Sequence, residues 1–210
     1  MSRDQTTPNS MSLFSLQGER KYLNLAECKR FLKAVAVLKE PSEQTFCETI
    51  YWTGCRISEA LQLDVIRVNV EDAFLVFRSL KKHGEGKGKH FRVVPIPETF
   101  AKRLERVHSI SKTQRDQQAY QFHQLWSFGR QKAWKLIKKV MQAAKIFGIR
   151  ACARGLRHSF GVHAILSGVP ETQLQNWLGH SSLKMTAIYL SIMGVEDRTI
   201  ANRFWTYRAG

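Results

Sequence analysis

Two changes of hydropathy period divide this sequence and constrain its fold. Apolar residues recur at helical spacing from Asn24 to Leu61, become β-branched and aromatic between Val65 and Pro97, then return to helical spacing. The pattern predicts a mainly helical α+β fold with one small antiparallel sheet and its hairpin. There is no internal repeat and no low-complexity block.

Local signals fix the expected elements. Asn24 can cap a first helix, with Glu27 three residues on as its capping-box partner. Cys28, Phe31, Leu32, Val35 and Leu38 form its apolar stripe. Pro41-Ser42 breaks the chain, and Ser42 is expected to cap a second helix that turns Phe46, Ile50 and Tyr51 inward and ends near Gly54. A short third helix carries Ile57, Ala60 and Leu61. Val65 to Val70, Phe74 to Leu80 and Arg92 to Pro97 read as strands, the last at an edge because of its prolines. Lys81 to Lys89 is a basic, glycine-containing hairpin tip. From Glu98 onward the chain is helical, and one stripe (Trp134, Ile137, Met141, Ala144) lies opposite Lys132, Lys135 and Lys139. Further helices are expected over Arg157 to Leu166, Glu171 to Leu178 and Ser182 to Leu190, with Gly168 and Gly179 as stops. Residues 1–21 read as a mobile arm, 22–193 as the folded domain and 194–210 as a tail.

Charge narrows the function. Lys and Arg number 33 against 17 Asp and Glu, a net +16. Such an excess points to a polyanionic partner, nucleic acid above all. From Gln117 to Pro170 there is no acidic residue, yet Arg130, Lys132, Lys135, Lys138, Lys139, Lys145, Arg150, Arg154 and Arg157 all fall there. A solvated face mixes signs, whereas a one-sign stretch reads as a phosphate-facing surface. No stretch nears the roughly 20 apolar residues of a membrane span. Met1 to Ser15 lacks an export-signal layout, so a cytoplasmic protein, associated with nucleoid or plasmid and not with membrane, is expected. Cys28, Cys47, Cys55 and Cys152 form no C-x-x-C pair and read as small buried residues of a reducing compartment.

Three segments carry the chemistry: Thr53-Gly54-Cys55-Arg56-Ile57-Ser58-Glu59-Ala60-Leu61; Arg154-Gly155-Leu156-Arg157-His158-Ser159-Phe160; and Leu178-Gly179-His180-Ser181-Ser182 with Ala187-Ile188-Tyr189-Leu190. In order and spacing they resemble the catalytic domain of the tyrosine recombinases, the phage-integrase family, over roughly Leu23 to Met193. That family pattern has an arginine in G-x-R-x-S-E-x-x-x-L, a lysine on a β-hairpin, H-x-x-R, a histidine in L-G-H and a tyrosine about nine residues later. The short chain before the domain makes it similar to the single-domain kind, such as the fimbrial-switch invertases.

The chemistry of these residues agrees. Attack on a phosphodiester adds a second negative charge at a five-coordinate phosphorus, which two guanidiniums can offset through bidentate contact. Arg56 and Arg157 are expected at helix starts, where both can be aimed rigidly. The resemblance implies that Tyr189 is the nucleophile, forming a 3′-phosphotyrosyl bond that conserves bond energy for religation, so that no cofactor is needed. It implies a hydrogen-bonding or proton-transfer role for His180 and a structural buttress role for Glu59. Lys81, or next to it Lys82, would protonate the leaving 5′ oxygen. Lys82, Lys87, Lys89, Lys132, Lys135 and Lys139 would contact DNA phosphates. Arg154 departs from the pattern by standing where the family usually has histidine; it can donate to a phosphate but cannot act as a base near neutral pH.

Metal-binding motifs, clustered acidic residues and a nucleotide-binding P-loop are absent from the sequence. The expectation is therefore a metal-independent site-specific recombinase acting on double-stranded DNA as a homotetramer on paired sites, and as a monomer or dimer off DNA. A DNA-binding protein that keeps the fold without turnover, and a topoisomerase-like nicking-closing enzyme, are the competing readings.

Overall fold

The structure, a computed structural model, describes residues 12–78, 91–116, 124–191 and 195–209, with only the backbone for 195 and 196. Helix α1, Leu25–Ala36, begins at the expected capping box. Asn24 Oδ1 accepts from the Glu27 amide at 2.8 Å, and Glu27 Oε2 accepts from the Asn24 amide at 2.9 Å. Helix α2 spans Pro41–Thr53. Pro41 takes its first position, so Glu40 precedes the helix as cap and the expected Ser42 cap does not form. The Ser42 carbonyl instead accepts from Trp126 Nε1 at 2.9 Å. Gly54, at φ 60°, ends α2 in the left-handed region, and α3, Ile57–Ala60, follows at once.

The sheet has three antiparallel strands in chain order: β1, Val68–Asn69, β2, Phe74–Arg78, and β3, Phe91–Pro95. Pairing of Val68 with Leu75 and of Leu75 with Val94 sets the register, and these residues are buried. β3 lies at an edge, as its prolines require. β1 is shorter than the expected Val65 to Val70. Val65–Arg67 forms a 3₁₀ turn instead, with Ile66 exposed and Arg67 paired to Asp64 at 3.5 Å. The hairpin tip, with Lys81, Lys82, Lys87 and Lys89, lies outside the described residues.

Helices α4 (Glu98–His108), α5 (Ile110–Arg115), α6 (Arg130–Ala143), α7 (Ala153–Leu166), α8 (Glu171–Leu178) and α9 (Val195–Ala209) complete the chain. On α6 the buried stripe is Ala133, Leu136, Ile137, Val140 and Met141. Trp134, expected in that stripe, is instead 51% exposed, because the helical period centres the stripe on its neighbours. α7 begins at Ala153, so Arg157 sits one turn inside the helix and not at its start. The expected helix over Ser182 to Leu190 is two 3₁₀ turns, Leu183–Met185 and Ala187–Leu190. Between them Thr186 is fully buried and engages His180 through its hydroxyl, holding the chain in a tight double turn.

The larger apolar cluster joins α1, α2, α4, α6 and the sheet. A smaller one gathers Leu13, Tyr22, Val162, Leu174, Leu178 and Tyr189 around α7 and α8. Ser12 to Lys21, expected to belong to a mobile arm, is anchored by the buried Leu13: Phe14 bridges Arg20, and the Lys21 amide donates to the Leu13 carbonyl at 2.8 Å. Among the described residues no helix is long and apolar enough to cross a membrane.

Glu27 ties three segments together. Besides capping α1 it pairs with Arg20 at 3.1 Å and with Arg150 at 2.9 Å. Burial alone would raise its pKa, but the Asn24 amide, Arg150 and Arg20 outweigh burial and lower it. The carboxylate therefore contributes stability above its ordinary pKa of 4.5, and that contribution is lost as pH falls through the lower, folded value. Glu27→Ala should destabilise the fold by about 3 kcal/mol, the scale of breaking a buried pair. Urea unfolding at pH 7 and pH 4 checks this: the gap between variant and parent should narrow at the lower pH.

Candidate active site

The three motif segments meet at an open cleft of about 740 Å³. Its lining includes Arg56, Arg154, Arg157, His180 and Tyr189, all singled out from the sequence, together with Arg130, Trp134 and His158. Among the described residues no acidic side chain lines it.

Arg157 joins the segments. From α7 its Nη1 donates to the Gly54 carbonyl and its Nη2 to the Leu178 carbonyl, each at 2.8 Å. Both acceptors sit where a helix ends, with carbonyls freed from the helical pattern. Burial, then the neighbouring Arg56, pushes the Arg157 pKa down to about 10, which still leaves it charged at neutral pH. Its partners here are dipoles and not carboxylates, so its charge is not cancelled locally.

Arg56 is more open and is steadied by Glu59. Glu59 Oε1 accepts from Arg56 Nη1 at 2.8 Å, and Glu59 Oε2 accepts from the Arg56 amide at 2.8 Å. The same carboxylate receives Arg92 Nη2 at 2.7 Å, while Arg92 Nε donates to the Trp177 carbonyl at 2.8 Å. Burial alone would raise the Glu59 pKa, but Arg92 and then Arg56 outweigh it and hold the group ionised. Sequence reasoning missed Arg92, although a signal existed. On β3 it shares a face with the buried Val94, so strand alternation turns it inward.

Gly179, at φ 63°, ends α8 and turns the chain so that His180 reaches the cleft. His180 Nδ1 and Thr186 Oγ1 are 2.9 Å apart, which fixes the ring. The His180 and Tyr189 rings lie nearly parallel, at 9°, with centroids 6.3 Å apart. Tyr189 is 1% exposed. Its hydroxyl lies 3.3 Å from His158 Nδ1, a contact that the sequence reading did not anticipate. Burial raises the phenol pKa to about 12, against the opposing pull of Arg157 and Arg56. The ring needs Gly161: a Cβ there would come within 2.5 Å of Tyr189 Cε1 and Cζ. Arg154 is exposed on the first turn of α7 at the cleft rim.

The basic residues expected on α6 differ in circumstance. Lys135 and Lys139 are exposed, whereas Lys132, also exposed, pairs with Glu43 at 3.1 Å. The thiols of Cys28, Cys47 and Cys55 are buried and that of Cys152 is half-buried; all are free.

Residues 21–193 match the phage integrase family. The chain belongs to that family. Tyrosine recombinase XerA of Pyrococcus horikoshii is 32% identical over 165 residues, which is 76% of this chain and 54% of the relative. The chain thus spans about half the length of that relative. Among solved structures, XerH site-specific recombinase bound to a palindromic difH substrate, a post-cleavage complex, aligns with a TM-score of 0.70 at 20% identity, over 97% of this chain and 56% of that one. The Tn1549 transposon integrase in complex with transposon right end DNA aligns with a TM-score of 0.62 at 18% identity, over 95% and 67%. The fold is accordingly that of the family's catalytic domain, mainly helical with a small antiparallel sheet.

Gly161→Ala should push the Tyr189 ring out of its pocket and bring its phenol pKa down from about 12 toward the ordinary 10. Titrating tyrosinate absorbance, with Tyr189→Phe as the subtraction control, measures the shift. By linkage, the parent should lose stability as pH rises from 10 toward 12, because the unfolded phenol ionises first.

Proposed function

We propose that this chain is the catalytic part of a site-specific DNA recombinase. Tyr189 Oη attacks a backbone phosphorus, the 3′ phosphate stays on the protein as a phosphotyrosyl ester, and the freed 5′ hydroxyl of another strand reverses the step to rejoin DNA. The observation that carries this reading is the meeting of Arg56, Arg157, His180 and Tyr189 at one cleft that, among the described residues, has no carboxylate in its lining. Relatives named as tyrosine recombinases and the DNA-bound fold neighbour support it.

The division of labour follows from the environments. Arg157, rigid and buried, would bind one non-bridging oxygen, and Arg56, more open, the other. Their charges match the negative charge that accumulates in attack. Arg154, at the rim, would add a third cation, and His180 a hydrogen bond oriented by Thr186. Lys81 remains the proposed acid for the leaving 5′ oxygen, with Lys82 as its alternative. Lys82, Lys87 and Lys89, together with Lys135 and Lys139 on α6, would hold the flanking phosphates.

Assembly into a tetramer on two duplexes is the corresponding proposal for quaternary structure. Helix α9 supports it by exposing Phe204, Trp205 and Tyr207, apolar area suited to a neighbouring copy.

Incubation with plasmid or cellular DNA, followed by denaturation, tests the chemistry. The parent should carry a denaturant-resistant DNA adduct. Tyr189→Phe should abolish it while DNA retention stays nearly unchanged, and an adduct on that variant would assign the nucleophile elsewhere. Arg56→Ala should slow adduct formation by about 10²-fold, the scale of losing one oxyanion-type donor, with a much smaller loss of binding.

A second measurement addresses the α6 surface. Lys135→Ala and Lys139→Ala should each flatten the dependence of log affinity on log salt by roughly 1. Lys132→Ala should flatten it less, since Glu43 already offsets that charge.

A further inference from the structure

His158 is a buried group of the cleft to which the reading above gives no task. It follows Arg157 on α7 and is 8% exposed. One side lines the cleft beside Tyr189. It also lines a second cavity of about 290 Å³, walled by Ser15, Gln17, Lys21, Cys152 and Arg154. Leu16 and Ile149 also line this open space, and Ser15, Gln17, Lys21 and Arg154 give it the polar partners that water needs.

An attacking phenol must lose its proton, and two features sharpen that need here. Burial makes the Tyr189 phenol less acidic than usual, and Arg154, at the position where the family usually has histidine, is a permanent cation. His180 is committed through Nδ1 to Thr186. His158 Nδ1, by contrast, stands 3.3 Å from the reacting oxygen, within the reach of a general base before substrate draws the site together.

We propose that His158 is a catalytic base: its Nδ1 accepts the Tyr189 phenol proton as Oη attacks phosphorus, and its Nε2 opens a proton path to the second cavity. The inference rests on Tyr189 being the nucleophile. In the step the Oη–P bond forms and the bond from phosphorus to the 5′ oxygen breaks. The phenol proton passes to Nδ1, and the leaving oxygen takes a separate proton from Lys81, the acid proposed above. His158, now an imidazolium, releases its Nε2 proton to water in the second cavity. Religation runs the transfer backward.

The electrostatics permit this. Burial, then Arg157, Arg154 and Lys21, bring the His158 pKa down to about 4, so the ring is neutral and able to accept at physiological pH. With the proton on Nε2, Nδ1 is the acceptor. A phosphodiester in the cleft would offset the cations of α7 and the N-terminal loop and raise the basicity of the ring. The phenol grows more acidic as its oxygen bonds phosphorus, so the two groups approach one another in the transition state.

The experiment is single-turnover adduct formation across pH, using a nicked duplex of the sequence recovered from the covalent adduct. Tyr189→Phe is run alongside. His158→Asn keeps an acceptor near Nδ1 but cannot take a proton. It should slow adduct formation by about 10²-fold or more, with DNA retention and unfolding midpoint near those of the parent. The acid limb of the parent's rate profile should vanish in this variant. Added imidazole should restore part of the rate of His158→Ala. A His158→Asn rate within about threefold of the parent, with the acid limb intact, would overturn the base assignment. Such a result, together with a silent Tyr189→Phe, would leave the nucleophile standing. An adduct on Tyr189→Phe would instead overturn the underlying reading.

Discussion

A buried guanidinium held by carbonyl groups governs the geometry of this site. Arg157 reaches from α7 to the last carbonyls of two helices, at Gly54 and Leu178, and thereby binds together the three motif segments. A charge inside a protein must be compensated, and a carboxylate would do so by cancelling it. Carbonyl dipoles satisfy the hydrogen-bond donors while leaving the net charge in place. The result is a rigid cation facing a cleft that has no acidic lining among the described residues, a setting that suits an anion.

Glu59 solves the opposite problem. Its carboxylate is almost wholly buried, yet it steadies Arg56, whose charge the cleft requires. Arg92 makes the arrangement workable: with two guanidiniums on one carboxylate, the group of three remains net positive. Arg92 also donates to the Trp177 carbonyl and packs over Phe77 at 4.9 Å, so β3, α3 and the end of α8 share one fixed point. Rigidity at Arg56 thus derives from the sheet as well as from its own short helix.

Tyr189 is arranged differently and is held by packing. A hydrogen in place of a side chain at Gly161 makes room for its ring, and the His158 and His180 rings lie beside it. It belongs to the smaller apolar cluster, together with Leu13 from the N-terminal loop. That loop therefore contributes to the setting of Tyr189, far from it in sequence.

The sequence by itself determined the order of elements, the capping box of α1, the edge position of the prolines and the ordered motif residues that meet in the cleft. These are written in local periods, caps and spacing, which survive without knowledge of neighbours. The expected Ser42 cap, the extended Val65 to Val70 strand and the single helix over Ser182 to Leu190 do not form, because one specific neighbouring group overrides the average preference of each segment. Pro41 pre-empted the cap, Asp64 and Arg67 closed a turn, and Thr186 turned to His180. Only the tertiary structure decided that Arg157 reaches Gly54 and Leu178, that Arg92 shares Glu59 with Arg56, and that His158 faces Tyr189. Each of these joins residues 21 or more positions apart, or 31 for His158 and Tyr189 and 33 for Arg92 and Glu59. No local pattern encodes such a pairing, because it exists only once the helices have packed.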